Sequence, residues 1–149
     1  MIIREATLED RMPLHDLLTR TWLETWAPQV SRTSVERFRR EDPIAGYLEG
    51  YLPSMVVAEE DGRVLGMVHL VGDRIAAVHV RPDVQGRGVG SRLMAHAEER
   101  GGRTLEVRAF NTRAIAFYEQ RGWRAVRHYV DDEFGTALTT IEMRLSDRS

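Results

Sequence analysis

At 149 residues, the chain reads as one domain over positions 1–149, large enough to bury a single hydrophobic core. Its 42% hydrophobic and 30% charged residues describe an ordinary globular protein, and no apolar run nears the roughly 18 residues of a membrane span. A formal charge of −2 with scattered basic residues leaves no footprint for nucleic acid or an anionic membrane, and zero cysteines exclude disulfides and thiolate-bound metal.

The start, Met1-Ile2-Ile3-Arg4, lacks the layout of a secretory signal. With no cysteine to oxidise, the expectation is a cytoplasmic protein whose partner is a small molecule or a peptide. All 21 basic residues are arginine, which compositional bias explains.

Residues 2–5 form a short strand candidate, and Thr7 with Asp10 resembles a capping box opening a helix. Leu14, Leu17, Leu18, Thr21 and Trp22 then keep helical spacing, with Pro13 expected to kink or restart the helix. Thr33 and Glu36 suggest a second helix start. Pro43 interrupts that stretch, after which Ile44, Tyr47, Leu48, Tyr51 and Leu52 resume the stripe up to Pro53.

Three β-rich runs follow, 55–59, 64–71 and 75–81, joined by Asp61-Gly62 and Gly72-Asp73, which predicts consecutive antiparallel strands. From Val89 the period becomes helical through Leu93 and Ala97 to Gly101-Gly102, and 105–110 alternates as a strand. Asn111 is a good N-cap, flanked by Phe110 and Ile115 at staple positions, for a helix over 112–121 that Gly122 stops. Two last strands, 123–130 and 136–145, flank a polar connection, Asp131-Asp132-Glu133-Phe134-Gly135. Together these elements predict an α/β (α+β) domain, a mixed sheet with helices on both faces.

The segment from Val78 to Gly90 packs a strand, a turn and a helix start into thirteen residues. Its glycines let backbone approach a ligand, and the unpaired amides of a first helical turn attract phosphate. No Gly-Lys-Ser/Thr follows, and Gly86, Gly88 and Gly90 do not fit the dinucleotide spacing because position 91 is Ser.

Gln85, Gly88 and Gly90 resemble the Gln/Arg-x-x-Gly-x-Gly/Ala signature of the GCN5-related N-acetyltransferase superfamily. Asn111, Ala114, Phe117, Tyr118, Gly122 and Trp123 resemble its Asn-x-x-Ala-x-x-Phe-Tyr…Gly-Phe segment, with Trp in place of Phe. One helix and one strand separate the two motifs, as in the family, and the element order agrees along the whole chain. The resemblance implies a mostly antiparallel sheet of six to seven strands that splays beside the turn.

It further implies transfer of an acetyl group from acetyl-CoA, as cosubstrate and without metal, to a primary amine of a small molecule or peptide by direct attack. The backbone of Val78, His79 and Val80 would pair with the pantetheine arm, and amides of Gly86, Arg87, Gly88, Val89, Gly90 and Ser91 would hold the pyrophosphate. Gln85 belongs to the same cofactor-binding turn. Asn111 would contact the cofactor, and Tyr118 would protonate the leaving thiolate, which suits a phenol that is protonated at neutral pH. Arg87 and Arg92 flank the turn and could meet the phosphates.

Some members place a general-base Glu on the strand before the turn, but Arg74-Ile75-Ala76-Ala77-Val78 carries no acid. His79, with an ordinary pKa near neutral, is the best-placed substitute, although alternation sets it on the face opposite Val78 and Val80. Glu24, His69, Asp73 and a relayed water are further candidates. Trp22, Trp26, Tyr47 and Tyr51 fall on the helices that form the acceptor lip in the family, where aromatic side chains serve either a core or a pocket wall. The rival reading is a non-catalytic acyl-CoA sensor on the same fold, and a homodimer through the last strands is compatible with either.

Overall fold

In the computed structural model, which describes residues 1–146, seven strands form one sheet in the order β1-β2-β3-β4-β5-β7-β6. The strands are β1 (Ile2–Glu5), β2 (Met55–Glu60), β3 (Arg63–Val71), β4 (Arg74–Val80), β5 (Thr104–Arg108), β6 (Trp123–Glu133) and β7 (Thr136–Leu145). Every pair is antiparallel except β4 with β5. The helices are α1 (Arg11–Thr21), α2 (Arg32–Glu41), α3 (Pro43–Tyr51), α4 (Val89–Glu99) and α5 (Thr112–Gln120). No described helix is long and apolar enough to cross a membrane.

The sheet is covered on both faces. Leu93 and Met94 of α4 bury against Val68 and Met143, while Leu14 and Leu17 of α1 and Leu48 of α3 bury against Met55 and Met67. Each such side chain removed from water contributes about 1.5–3 kcal/mol, so the two helical layers are fixed to the sheet independently.

The first turn of the chain is held by charge. Asp10 accepts the Thr7 amide at 2.7 Å, as a capping box requires, and takes both Arg4 Nη atoms at 2.8 and 3.0 Å. Arg4 also donates to Glu59 of β2, and these contacts hold the Asp10 carboxyl below its ordinary pKa. Pro13 lies in the first turn of α1, after a 3₁₀ turn at Leu8–Asp10, where a missing N–H costs nothing.

Two sequence expectations need correction. The cap of α2 is Ser31, whose Oγ accepts the Ser34 amide at 3.1 Å; Thr33 lies inside the helix. The connection expected over 131–135 is mostly strand: β6 runs on to Glu133, pairing Asp131 with Leu138 and Glu133 with Thr136. Only Phe134 and Gly135 make the turn, at φ 50° and 98°. Asp131 and Glu133 tolerate the ladder because Arg108 of β5, in the same sheet, pairs with both, a contact that local composition does not reveal.

A bulge shapes β4. His69 faces Ala77 and Leu70 faces Ile75, leaving Ala76 unopposed. Beyond it Val78 and Val80 pack with the α4 layer, while Ala77 packs with the α1 and α3 layer, so the alternation expected for His79 holds.

Candidate active site

β4 pairs with β5 only through Arg74–Thr104 and Ile75–Leu105. Past that point the two strands part, and a cleft of about 990 Å³ opens through the sheet. Residues 78–80, turn positions 85, 86 and 88–91, Asn111 and Tyr118 all line it.

The turn after β4 owes its shape to two glycines, Gly86 at φ 85° and Gly88 at φ 84°, a region that residues with a Cβ rarely adopt. Open space lies where a Cβ would project from either. The Gln85 side chain closes the turn by donating to the Val80 carbonyl at 3.4 Å. From Gly86 to Ser91 no backbone amide meets an acceptor among the described residues, whereas Arg92 resumes helical bonding to Gly88. Six successive free N–H groups at a helix start make an anion-attracting edge. Arg87 turns away and pairs with Glu60 at 2.9 Å, and Arg92 donates to the Met1 carbonyl.

Across the cleft, Asn111 caps α5 by accepting the Ala114 amide at 3.2 Å. Two turns later, Tyr118 is 8% exposed, and its hydroxyl makes no hydrogen bond with the described residues. Burial pushes its pKa up to about 12, so the phenol stays protonated at neutral pH.

The other end is built from side chains. α1 widens into a π turn over Trp22–Trp26, a distortion frequent at functional sites, and both tryptophans reach the cleft. Trp22 stacks on Phe38 at 3.8 Å, with Phe134 edge-on to both rings. Its indole N–H donates to Glu133 Oε1 at 2.9 Å, and Arg108 donates to Glu133 Oε2 at 2.7 Å and to Thr140 at 2.5 Å. Asp131 lies 3.4 Å from the same guanidinium. Two carboxylates against one guanidinium leave a net negative charge at this wall. The motifs do not include Arg108, Asp131, Glu133 or Thr140, and Asp131-Asp132-Glu133 is a run of acids with no strand alternation to mark it.

His79 lines the cleft beneath Trp26, ring centroids 5.9 Å apart. Its pKa is not near neutral as expected: burial pushes it down to about 4, leaving an uncharged, weak base. Glu24 is exposed and 3.9 Å from Arg20, and Asp73 sits in the β3–β4 turn, where its carbonyl accepts the Arg103 and Thr104 amides. Neither lines the cleft, nor does the buried His69. Tyr47 lines it, while Tyr51 is 51% exposed outside.

The family model for the acetyltransferase (GNAT) family matches residues 11–123. A peptidyl-lysine N-acetyltransferase, YiaC of Escherichia coli strain K12, is 33% identical over 138 residues, 89% of each chain. A second, YjaB of Salmonella typhimurium strain LT2, is 34% identical over 82 residues, 54% of this chain; the match spans only 57% of that relative. The solution structure of apo YjaB from Escherichia coli superposes with a TM-score of 0.78 at 25% identity, covering 97% of both chains. The fold is also that of yncA from Salmonella typhimurium, solved with its cofactor acetyl-CoA, at a TM-score of 0.71 and 20% identity, covering 100% of this chain and 96% of that one. With the cleft, the glycine turn and these relatives in agreement, the chain belongs to the acetyltransferase (GNAT) family and is an acyl-CoA-dependent N-acetyltransferase.

Proposed function

We propose that the chain acetylates primary amines, with the lysine side chain of a peptide as the leading acceptor, using Tyr118 as general acid. The observation that carries this reading is the parting of β4 from β5 beside six amides and a Tyr118 hydroxyl, on one cleft, that have no hydrogen-bond partner among the described residues.

In this reading the free edge of β4 from Val78 to Val80 takes the pantetheine arm of acetyl-CoA as an added strand, and the amides of 86–91 hold its diphosphate. The fit is chemical as well as spatial: among the described residues, nothing fills the space over Gly86 and Gly88 and no side-chain carboxylate bonds the turn amides. Asn111, with its Oδ1 engaged in the cap, keeps its NH₂ to donate to the arm.

The acceptor enters from the wall of Trp22, Asp131 and Glu133, whose net charge draws an ammonium group. Its nitrogen, once neutral, bonds to the thioester carbonyl carbon; as the carbon–sulfur bond breaks, Tyr118 gives its proton to the sulfur. The peptidyl-lysine activity named for the relatives supports this acceptor class. The reaction is placed in the cytoplasm, which suits a chain without cysteine.

The test is thiol release from acetyl-CoA with an Nα-blocked lysine peptide. Because the chain contains no lysine, side-chain self-acetylation adds no background. Tyr118→Phe should lower kcat by about 10²-fold or more with acetyl-CoA binding retained; an unchanged kcat removes Tyr118 from the chemistry.

A further inference from the structure

His69 is 1% exposed near the C-terminal end of β3. Its Nδ1 lies 2.5 Å from the Tyr47 hydroxyl, while its Nε2 is buried without a hydrogen-bond partner among the described residues. Buried polar atoms are nearly always paired, and an exception calls for a role. Burial holds the imidazole below its ordinary pKa, thus neutral, and pushes the Tyr47 phenol up to about 12. Between a neutral phenol and a neutral imidazole the proton resides on oxygen and is donated to nitrogen.

The pair is not remote from the cleft. Tyr47 lines it from α3, and Ala77, the cross-strand neighbour of His69, lines it from β4 just past the point where β5 departs. Ala77 and Tyr47 pack on the α1 and α3 side of the sheet, the side on which Trp22 and Trp26 wall the acceptor end. The titratable groups recorded against His69 are two phenols, Tyr47 and Tyr51, with ring centroids 5.5 and 5.4 Å away. The family motifs leave this pair unused, and the chain lacks an acid on β4.

We propose that Tyr47 and His69 form the proton-accepting pair of the acetyl transfer, with Tyr47 touching the acceptor nitrogen and His69 acting through it as a positioning residue. The inference rests on the acetyl-transfer reading above. As the nitrogen bonds to the carbonyl carbon its two protons become acidic; one passes to Tyr47 Oη while the Tyr47 proton passes to His69 Nδ1, and the other stays as the amide N–H. One proton leaves nitrogen and one reaches sulfur from Tyr118, so the charges left on His69 and Tyr118 cancel and are reset by one proton returned through solvent. A weak base suffices because it acts on the nitrogen during attack, not on the free ammonium.

The experiment is a set of kcat–pH profiles for the full chain with acetyl-CoA and an Nα-blocked lysine peptide, comparing wild type with Tyr47→Phe, His69→Gln and His79→Gln. Tyr47→Phe and His69→Gln should each lower kcat about 10²-fold near neutral pH and leave the KM of acetyl-CoA within about twofold. The deficit should shrink toward about tenfold by about pH 9.5, where solvent supplies the base, and the double variant should be no worse than the worse single. A loss that does not change with pH, which a purely structural role would give, overturns the proposal, as does an unchanged kcat or a deficit confined to His79→Gln. Tyr47→Phe keeps the ring and decides alone if His69→Gln does not fold. Wild-type turnover with unaffected variants removes the pair but spares the transferase, whereas CoA binding without thiol release for any amine removes both.

Discussion

At one end of the cleft the turn 85–91 presents main-chain amides, shaped by Gly86 and Gly88 and backed by the first turn of α4. At the other, a Trp22 indole, the Arg108 guanidinium and the carboxylates of Glu133 and Asp131 meet from α1, β5 and β6. The first end is local in sequence and made of backbone; the second gathers side chains more than a hundred residues apart. On the proposed reading, the backbone end serves what every acyl-CoA shares, whereas the side-chain end can change acceptor without disturbing the fold.

That contrast breaks most visibly at Tyr118. Its replacement by Phe should cost about 10²-fold or more in kcat while calorimetry shows CoA affinity within about twofold of wild type. Equal losses in both would mean the hydroxyl serves binding and not chemistry.

Stability should depend on pH at both limits. Tyr118 and Tyr47, each raised to about 12 when folded, keep their protons while the unfolded chain ionises near 10, so denaturant titrations should lose up to about 3 kcal/mol for each between roughly pH 10 and 12. His79, lowered to about 4, and the lowered His69 stay neutral while the unfolded chain takes protons. Stability present above about pH 6.5 should therefore fall as pH drops toward 4. In His79→Gln the acid limb should flatten and the alkaline limb persist; an acid limb of undiminished slope would contradict the burial described for His79.

Gly88→Val places a β-branched side chain at φ 84°, costing about 1–2 kcal/mol or forcing the turn to relax. CoA affinity should fall about tenfold or more, with the KM of the lysine peptide little changed. Glu133→Ala tests the opposite end: the KM of a lysine peptide should rise about tenfold through loss of its charge-assisted hydrogen bonds, with CoA affinity unaltered. Glu24→Gln should change nothing measurable, because Glu24 is exposed and pairs only at 3.9 Å with Arg20. A collapse of kcat there would mean the acceptor lip closes far beyond what this conformation contains.

Much of the fold was readable because its signals are local. Asp61-Gly62, the helical spacing from Val89 to Ala97 and the Asn111 cap each act within a few residues, and the seven strands and both helical layers follow. The splay of β4 from β5 came from family resemblance, not from any spacing. The end of β6 is not legible because Asp131 and Glu133 look like loop until Arg108, over twenty residues earlier, pairs with both. Ser31 was passed over because Thr33 and Glu36 satisfied the same template two residues later. The lowered pKa of His79 and the contact of Tyr47 with His69 depend on burial between layers, which periodicity places on a face but does not quantify.

The central claim is that the amides of residues 86–91 grip the diphosphate of coenzyme A. Isothermal titration of CoA into the wild-type chain, repeated with inorganic pyrophosphate as competitor, tests it directly: the account expects saturable binding at one site per chain that pyrophosphate weakens. Absence of a binding heat, or binding indifferent to pyrophosphate, would contradict it.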